Sequence, residues 1–144
     1  MIGGIFLTAM EFLEQAYKLK CEIELDELRL AAMRSAVYGS SVNYEYAGNK
    51  TGQRYGFQNA IANITMLEAD IDNEKYKLTL KSQEIKQVIN KIPSLRHRQV
   101  LERRYLGFQD FKIIAVEMNY AIKNIYKIHK EGLKKIETIC DKID

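Results

Sequence analysis

Residues 111–128 read FKIIAVEMNYAIKNIYKI, and the spacing of their apolar side chains decides how the whole chain is read. Ile114 and Met118, four apart, point to one core. Ala115 stands where two helices cross closely and only a small side chain fits. Asn119 comes next, at the turn, where a positive φ is often required and asparagine tolerates it. Tyr120 plugs the turn, and Ile125 and Ile128 anchor the next helix. This is the pattern of a helix-turn-helix. Asp110 is placed to cap the first of these helices, 111–118, and the second runs over 121–140. Upstream, Pro93 breaks the chain's periodicity, since a proline starts helices and does not continue them. A further helix over 94–106 then has Leu95, Leu101 and Tyr105 inward and ends at Gly107, placed as the residue after the cap.

With Ile125, Ile128 and Ile136 inward, the last helix turns Lys123, Asn124, Lys127, Lys130 and Lys134 outward. Its N-terminal face carries Ile122, Lys123, Asn124, Tyr126 and Lys127 and suits entry into a major groove. Lysines grip phosphates, and Asn and Lys also read base edges. Arg96, Arg98, Arg103 and Arg104 on the preceding helix are candidate phosphate contacts. The charge distribution agrees. Residues 1–90 carry ten Lys/Arg and twelve Asp/Glu, a net of −2, whereas residues 91–144 carry twelve and seven, a net of +5. A basic half is the electrostatic footprint of a phosphate-binding surface.

The N-terminal half has a different period. Phe57, Ile64, Ile71, Leu78, Ile85 and Ile92 recur every seventh residue, with Ala60, Leu67 and Val88 in the companion row and Glu74 and Lys81 interrupting it. Such a repeat marks a coiled-coil seam. A second stripe, Phe12, Ala16, Leu19, Ile23, Leu30, Met33 and Val37, steps by four and three with Asp26 its one polar member. It lies on a helix over 8–38, with Thr8 and Glu11 spaced as a capping box. Between the two, GSSVNYEYAGNKTGQRYG (39–56) keeps no period and reads as a loop. The two stripes bury each other in an antiparallel hairpin, or pair between two chains. Residues 1–9 precede the pattern and read as disordered or as upstream of a true start at Met10.

Several function classes find no support. His97 and His129 are the only histidines, and neither has a ligand at helical spacing, so no metal is expected. His97 reads as a surface residue and His129 as a flank of the recognition helix. No glycine-rich phosphate loop and no nucleophile elbow is present, so no enzyme, cofactor or small-molecule substrate is expected. Cys21 and Cys140 make no disulfide framework, which fits a reducing cytoplasm. No apolar run reaches the length of a membrane span.

The run VLERRYLGFQDFKIIAVEMNYAIKNIYKIHKEGLKKI (100–136) resembles region four of bacterial sigma factors. From FLEQAYKL (12–19) onward, the chain is similar to small phage and prophage proteins of Gram-positive bacteria that join a coiled-coil half to such a C-terminus, like the ArpU-type late-transcription regulators. RRYLGF, IAVEMNY and IYKIHKEGLKKI carry the resemblance over about residues 11–137. The chain departs from that pattern at Ile113, Asn119, Ala121 and Gly132, where Glu, Gly, Ser and Ala are usual. Ala121 forgoes an N-cap worth about 1 kcal/mol, and a glycine inside a helix costs about 1 kcal/mol against alanine.

The fold expected is therefore all-α: a disordered or upstream segment 1–9, a helical hairpin or coiled coil over 10–92, and a helix-turn-helix domain over 93–144. The function expected is DNA-binding transcription regulation on double-stranded DNA, with the coiled coil serving homodimerisation or an RNA polymerase contact. The alternative is an adaptor that docks on RNA polymerase or a host factor without binding DNA.

Overall fold

The computed structural model describes residues 8–39 and 50–143. These residues are all-α: α1 (Ala9–Tyr38), α2 (Lys50–Ile89), α3 (Leu95–Leu101) running into a π-helical turn (Glu102–Leu106), α4 (Phe111–Met118) and α5 (Ile122–Ile143). The long hairpin is present. Its antiparallel direction shows in the ion pairs Glu27–Lys75 at 3.1 Å and Arg34–Glu68 at 3.5 Å, whose order reverses between the helices. No helix among the described residues is long and apolar enough to cross a membrane.

The chain divides into two units. The first takes the described residues of Met1–Lys18 with those of Leu78–Asp144, and the second is Leu19–Lys77. The division therefore does not fall at Pro93. The reason is packing: Phe12, Leu13 and Ala16 of α1 and Ile85 and Ile89 of α2 close one core with Leu101, Tyr105 and Ile136. A second cluster in the same unit gathers Val100, Ile114, Ala115, Ile125 and Ile128. In the Leu19–Lys77 unit, Ile23 and Leu30 of α1 and Ile64 and Ile71 of α2 form the buried seam.

The element ends differ from expectation for physical reasons. Ala9 belongs to the fold: it opens α1 and is 2 % exposed. Thr8 caps it as expected, its Oγ1 accepting from the Glu11 N–H at 3.1 Å; the rest of 1–9 lies outside the described residues. Of the loop expected over 39–56, residues 50–56 are helical, and 40–49 lie outside the described residues. Gly52 and Gly56 each cost about 1 kcal/mol in a helix, too little to stop one of 40 residues. At its other end α2 stops at Ile89, four residues before Pro93, whose ring would clash with the Ile89 carbonyl in a continued helix. Ile92 still reaches the core, its N–H bonding the Ile89 carbonyl at 3.0 Å.

Around α3, Leu95 is outward, at 59 % exposed, and His97, Val100 and Leu101 take the inner face. Leu95 lies six residues before Leu101, roughly 120° around the helix from it. The helix ends without a left-handed Gly107, whose φ is −88°; Phe108 takes the positive φ of 55° instead. Gly107 is needed for space, since a Cβ there would stand 2.9 Å from the Arg103 carbonyl oxygen. Phe108 is held in place by packing on the core and on Tyr17, at 6.0 Å between ring centroids.

Candidate nucleic-acid interface

α4 has the bounds read from the sequence. Asp110 sits at its N-cap with extended backbone but makes no side-chain cap bond. Its carboxylate is drawn toward Arg104 instead, at 3.9 Å. At the other end Asn119 adopts φ 58°, ψ 45°. The Tyr120 N–H bonds the Ala115 carbonyl at 2.9 Å and the Asn119 N–H bonds that of Val116 at 3.2 Å. These are the two bonds of a Schellman turn, and they fix the angle at which α5 departs. The Asn124 and Ile125 N–H groups then bond the Ala121 carbonyl, so backbone alone starts α5 where the expected helix began one residue earlier.

Burial orients α5. Ile125, Ile128, Gly132 and Ile136 are buried. Lys123, Lys127, Lys130 and Lys134 are exposed, at spacings of four, three and four. At 100° per residue they fall within an arc of roughly 60° on the side opposite the buried set. None of the four pairs with a carboxylate among the described residues. Asn124 is exposed beside this row. Ile122 is not: it packs on the core with Phe111, Met118 and Tyr120, because it precedes Ile125 by three residues and shares its flank. Tyr126 is half exposed and edges against Phe111 at 5.1 Å, so only part of it is free to meet a ligand.

The four arginines separate. Arg96 is exposed, and together with Lys127 it helps to hold the Glu131 carboxyl below the usual range, after the hydrogen bond from His97. Arg96 of α3 and Lys127 of α5 thus act on the same carboxylate. Arg98 is half-buried, with its Nε shut off from solvent and unpartnered. Arg103 pairs with Glu117. Arg104 lies over the Phe111 ring at 4.5 Å and donates to the Gln109 carbonyl at 3.1 Å. Arg103 and Arg104 thus join the π-helical turn to α4 and the segment before it, which takes them out of a free cationic surface.

Both histidines are structural. His97 is 6 % exposed, not a surface residue, and its Nε2 lies 2.9 Å from Glu131 Oε2 on α5. Tyr105 Oη and His129 Nε2 are 2.7 Å apart, and His129 also edges against Phe111 at 4.9 Å. Burial, then Arg104, lowers the His129 pKa, while burial, then Glu14, pushes the Tyr105 hydroxyl up to about 12. Tyr105 therefore keeps its proton and shares one hydrogen bond with a neutral His129 at neutral pH. These contacts lock the base of the lysine face. Spacing carried a signal for one of them: His129 is four residues from Ile125 and three before Gly132, on the buried side. No cluster of His, Cys, Asp or Glu among the described residues is arranged to hold a metal.

Compared with protein-family models, with curated proteins and with solved structures, the chain matches none.

Proposed function

We propose that this protein binds double-stranded DNA through α5 and acts as a phage-type transcription regulator. The observation that carries the reading is the row Lys123, Lys127, Lys130 and Lys134: one exposed face, none of the four in an ion pair among the described residues, opposite the core that fixes it. Lysines in such a row meet successive phosphates, and Asn124 beside them offers a donor and an acceptor to a base edge. The Schellman turn at Asn119 presents this face rigidly. The likeness to sigma region four supports the same use. Catalysis has no part in the proposal.

A second reading has its own support. On α4, Val116 is 80 % exposed and Ile113 is 47 % exposed, three residues apart on the outward face. An adaptor would use this apolar face on RNA polymerase or a host factor.

Salt separates the two. Duplex binding measured by fluorescence anisotropy should weaken steeply with salt, with a slope of about −0.9 per phosphate contacted, so roughly −3 to −4 for the lysine row. Absence of duplex binding at low salt would reject the DNA reading and favour the adaptor.

A further inference from the structure

The Leu19–Lys77 unit has more apolar surface than its seam uses. On α1, the residues facing α2 include Ile23 and Leu30, both buried. Roughly 150° around the same helix runs a second row with the coiled-coil spacing of four, three, four and three: Cys21, Leu25, Leu28, Ala32, Ser35. Leu25 is 50 % exposed and Leu28 is 69 % exposed. Charged residues of α1 lie between the two rows, Glu24, Glu27 and Arg34 on one side and Glu22 and Arg29 on the other. Because its apolar residues split between opposed faces, α1 lacks the single apolar face that α5 has. A solitary hairpin has no use for the outward row, which costs solubility.

We infer that this outward row of α1 is the interface with a second copy of the chain, packed antiparallel about a two-fold axis at Leu25. The charges identify the occupant. In the hairpin, the flank residues that meet across the seam are Glu27 with Lys75 and Arg34 with Glu68, each helix contributing opposite charges seven residues apart. The outward row has the equivalent flank, Glu22 and Arg29, again seven apart and opposite. Laid against its own copy with the hairpin's register, α1 brings Glu22 to the partner's Arg29 and Arg29 to the partner's Glu22. The same register sets Leu25 on the partner's Leu25 and Leu28 on the partner's Cys21, a large side chain against a small one. The contact is isologous, so it closes at two copies and leaves no end to extend. Arg29 now bonds Asp26 at 2.8 Å with its side chain 64 % exposed, which leaves its guanidinium free to take a second carboxylate.

The inference does not rest on DNA binding, and its test uses the whole chain without nucleic acid. Sedimentation velocity at micromolar concentration should show a dimer. Leu28→Glu opens no cavity, because the side chain is exposed, so the helical spectrum should persist while the dimer weakens by about thirtyfold or more. Glu22→Arg should weaken it through two like-charge pairs, and the exchange Glu22→Arg with Arg29→Glu should restore it. A monomeric wild type overturns the inference. So does a dimer that ignores Leu28→Glu but falls apart on Met66→Glu, which would place the contact on the outward face of α2. Failure of the charge exchange to restore what the single reversal lost also overturns it.

Discussion

The two units are both helical and differently built. In the unit that holds α4 and α5, Leu13, Ala16, Ile85, Ile89, Val100, Leu101, Ile114, Ile125 and Ile136 are wholly enclosed. In the Leu19–Lys77 unit the buried set is Ile23, Leu30, Ile64 and Ile71, each still 4–8 % exposed. Its seam also holds Asp26 opposite Glu74, which has one carboxylate oxygen buried without a partner. Helix content is therefore no guide to stability here; the number of elements meeting at one core is. A side chain enclosed by several helices leaves a cavity when removed, whereas a seam between two helices collapses over the gap.

The largest expected effect breaks or keeps that contrast. Leu101→Ala, in the enclosed core, should cost about 3–5 kcal/mol in urea unfolding, near the upper part of the usual range. Leu30→Ala, the same deletion in the seam, should cost about 2 kcal/mol or less. Equal losses would mean that the seam is as tightly specified as the core.

A glycine in each unit sharpens the contrast by changing its sign. Gly56→Ala sits on α2 with nothing within 4 Å of the added Cβ. It should stabilise by about 1 kcal/mol through helix propensity. Gly132→Ala has the same propensity gain, but its Cβ would meet Leu101 Cδ1 at 3.1 Å and Cγ at 3.2 Å. Leu101 is fully enclosed and has nowhere to yield, and overpacking costs about 1–3 kcal/mol. The net should be a loss of about 1 kcal/mol. The glycine that reads as a weakness in the sequence is the point where α5 crosses Leu101, and thermal melts of both variants test it.

Acid should act on the two units in opposite directions. Burial first, then a hydrogen bond and charge from Asp26, then Glu22 and Asp70, raise the Glu74 pKa above 4.5. The folded unit thus holds this proton more tightly than the unfolded chain. The stabilisation is full below pH 4.5 and is lost as pH rises through the higher folded value. His129 has its pKa lowered from 6.5 by burial and Arg104. Its contribution is full above pH 6.5 and is lost as pH falls through the lower folded value. Glu74→Gln should therefore raise the melting temperature at pH 7 and remove the gain on acidification. His129→Gln should flatten the loss below pH 6.5. Hydrogen exchange reads each unit separately, and parallel responses to acid would refute the contrast.

The same difference explains how much was legible in the sequence. The seven-residue row of α2 and the spacing around Asn119 are local and periodic, so the hairpin, α4 and the inward face of α5 could be read directly. The features that escaped depended on distant partners. Leu101 decides the fit of Gly132, Glu131 makes His97 a buried residue, and Glu117 and Gln109 occupy Arg103 and Arg104. The boundary at Pro93 was misplaced because proline ends a helix without ending a core. The lysine row was legible because outward residues need no partner to define them.

The smallest effect on stability is expected at that row, and it bears most on function. Lys123 and Lys127 are exposed and four apart on the side of α5 away from Ile125 and Ile128. Truncating both leaves no cavity and breaks no ion pair among the described residues. The double variant Lys123→Ala, Lys127→Ala should thus stay within about 0.5 kcal/mol of wild type, with an unchanged melting curve. Binding should respond otherwise. Two lost phosphate contacts remove about two from the salt slope. If either lysine also reads a base, the loss is concentrated at one position of the site, by about 1–3 kcal/mol. Duplex affinity should fall tenfold or more, on the order of 1.4 kcal/mol. Lys142, near the C-terminal end of the same helix, provides the control: Lys142→Ala removes an equal charge some 22 Å along the axis from Lys127 and should change affinity far less. Equal losses at the two ends would mean that net charge alone attracts the duplex and that no face of α5 recognises it. A folded double variant that keeps wild-type affinity would remove α5 from the interface altogether.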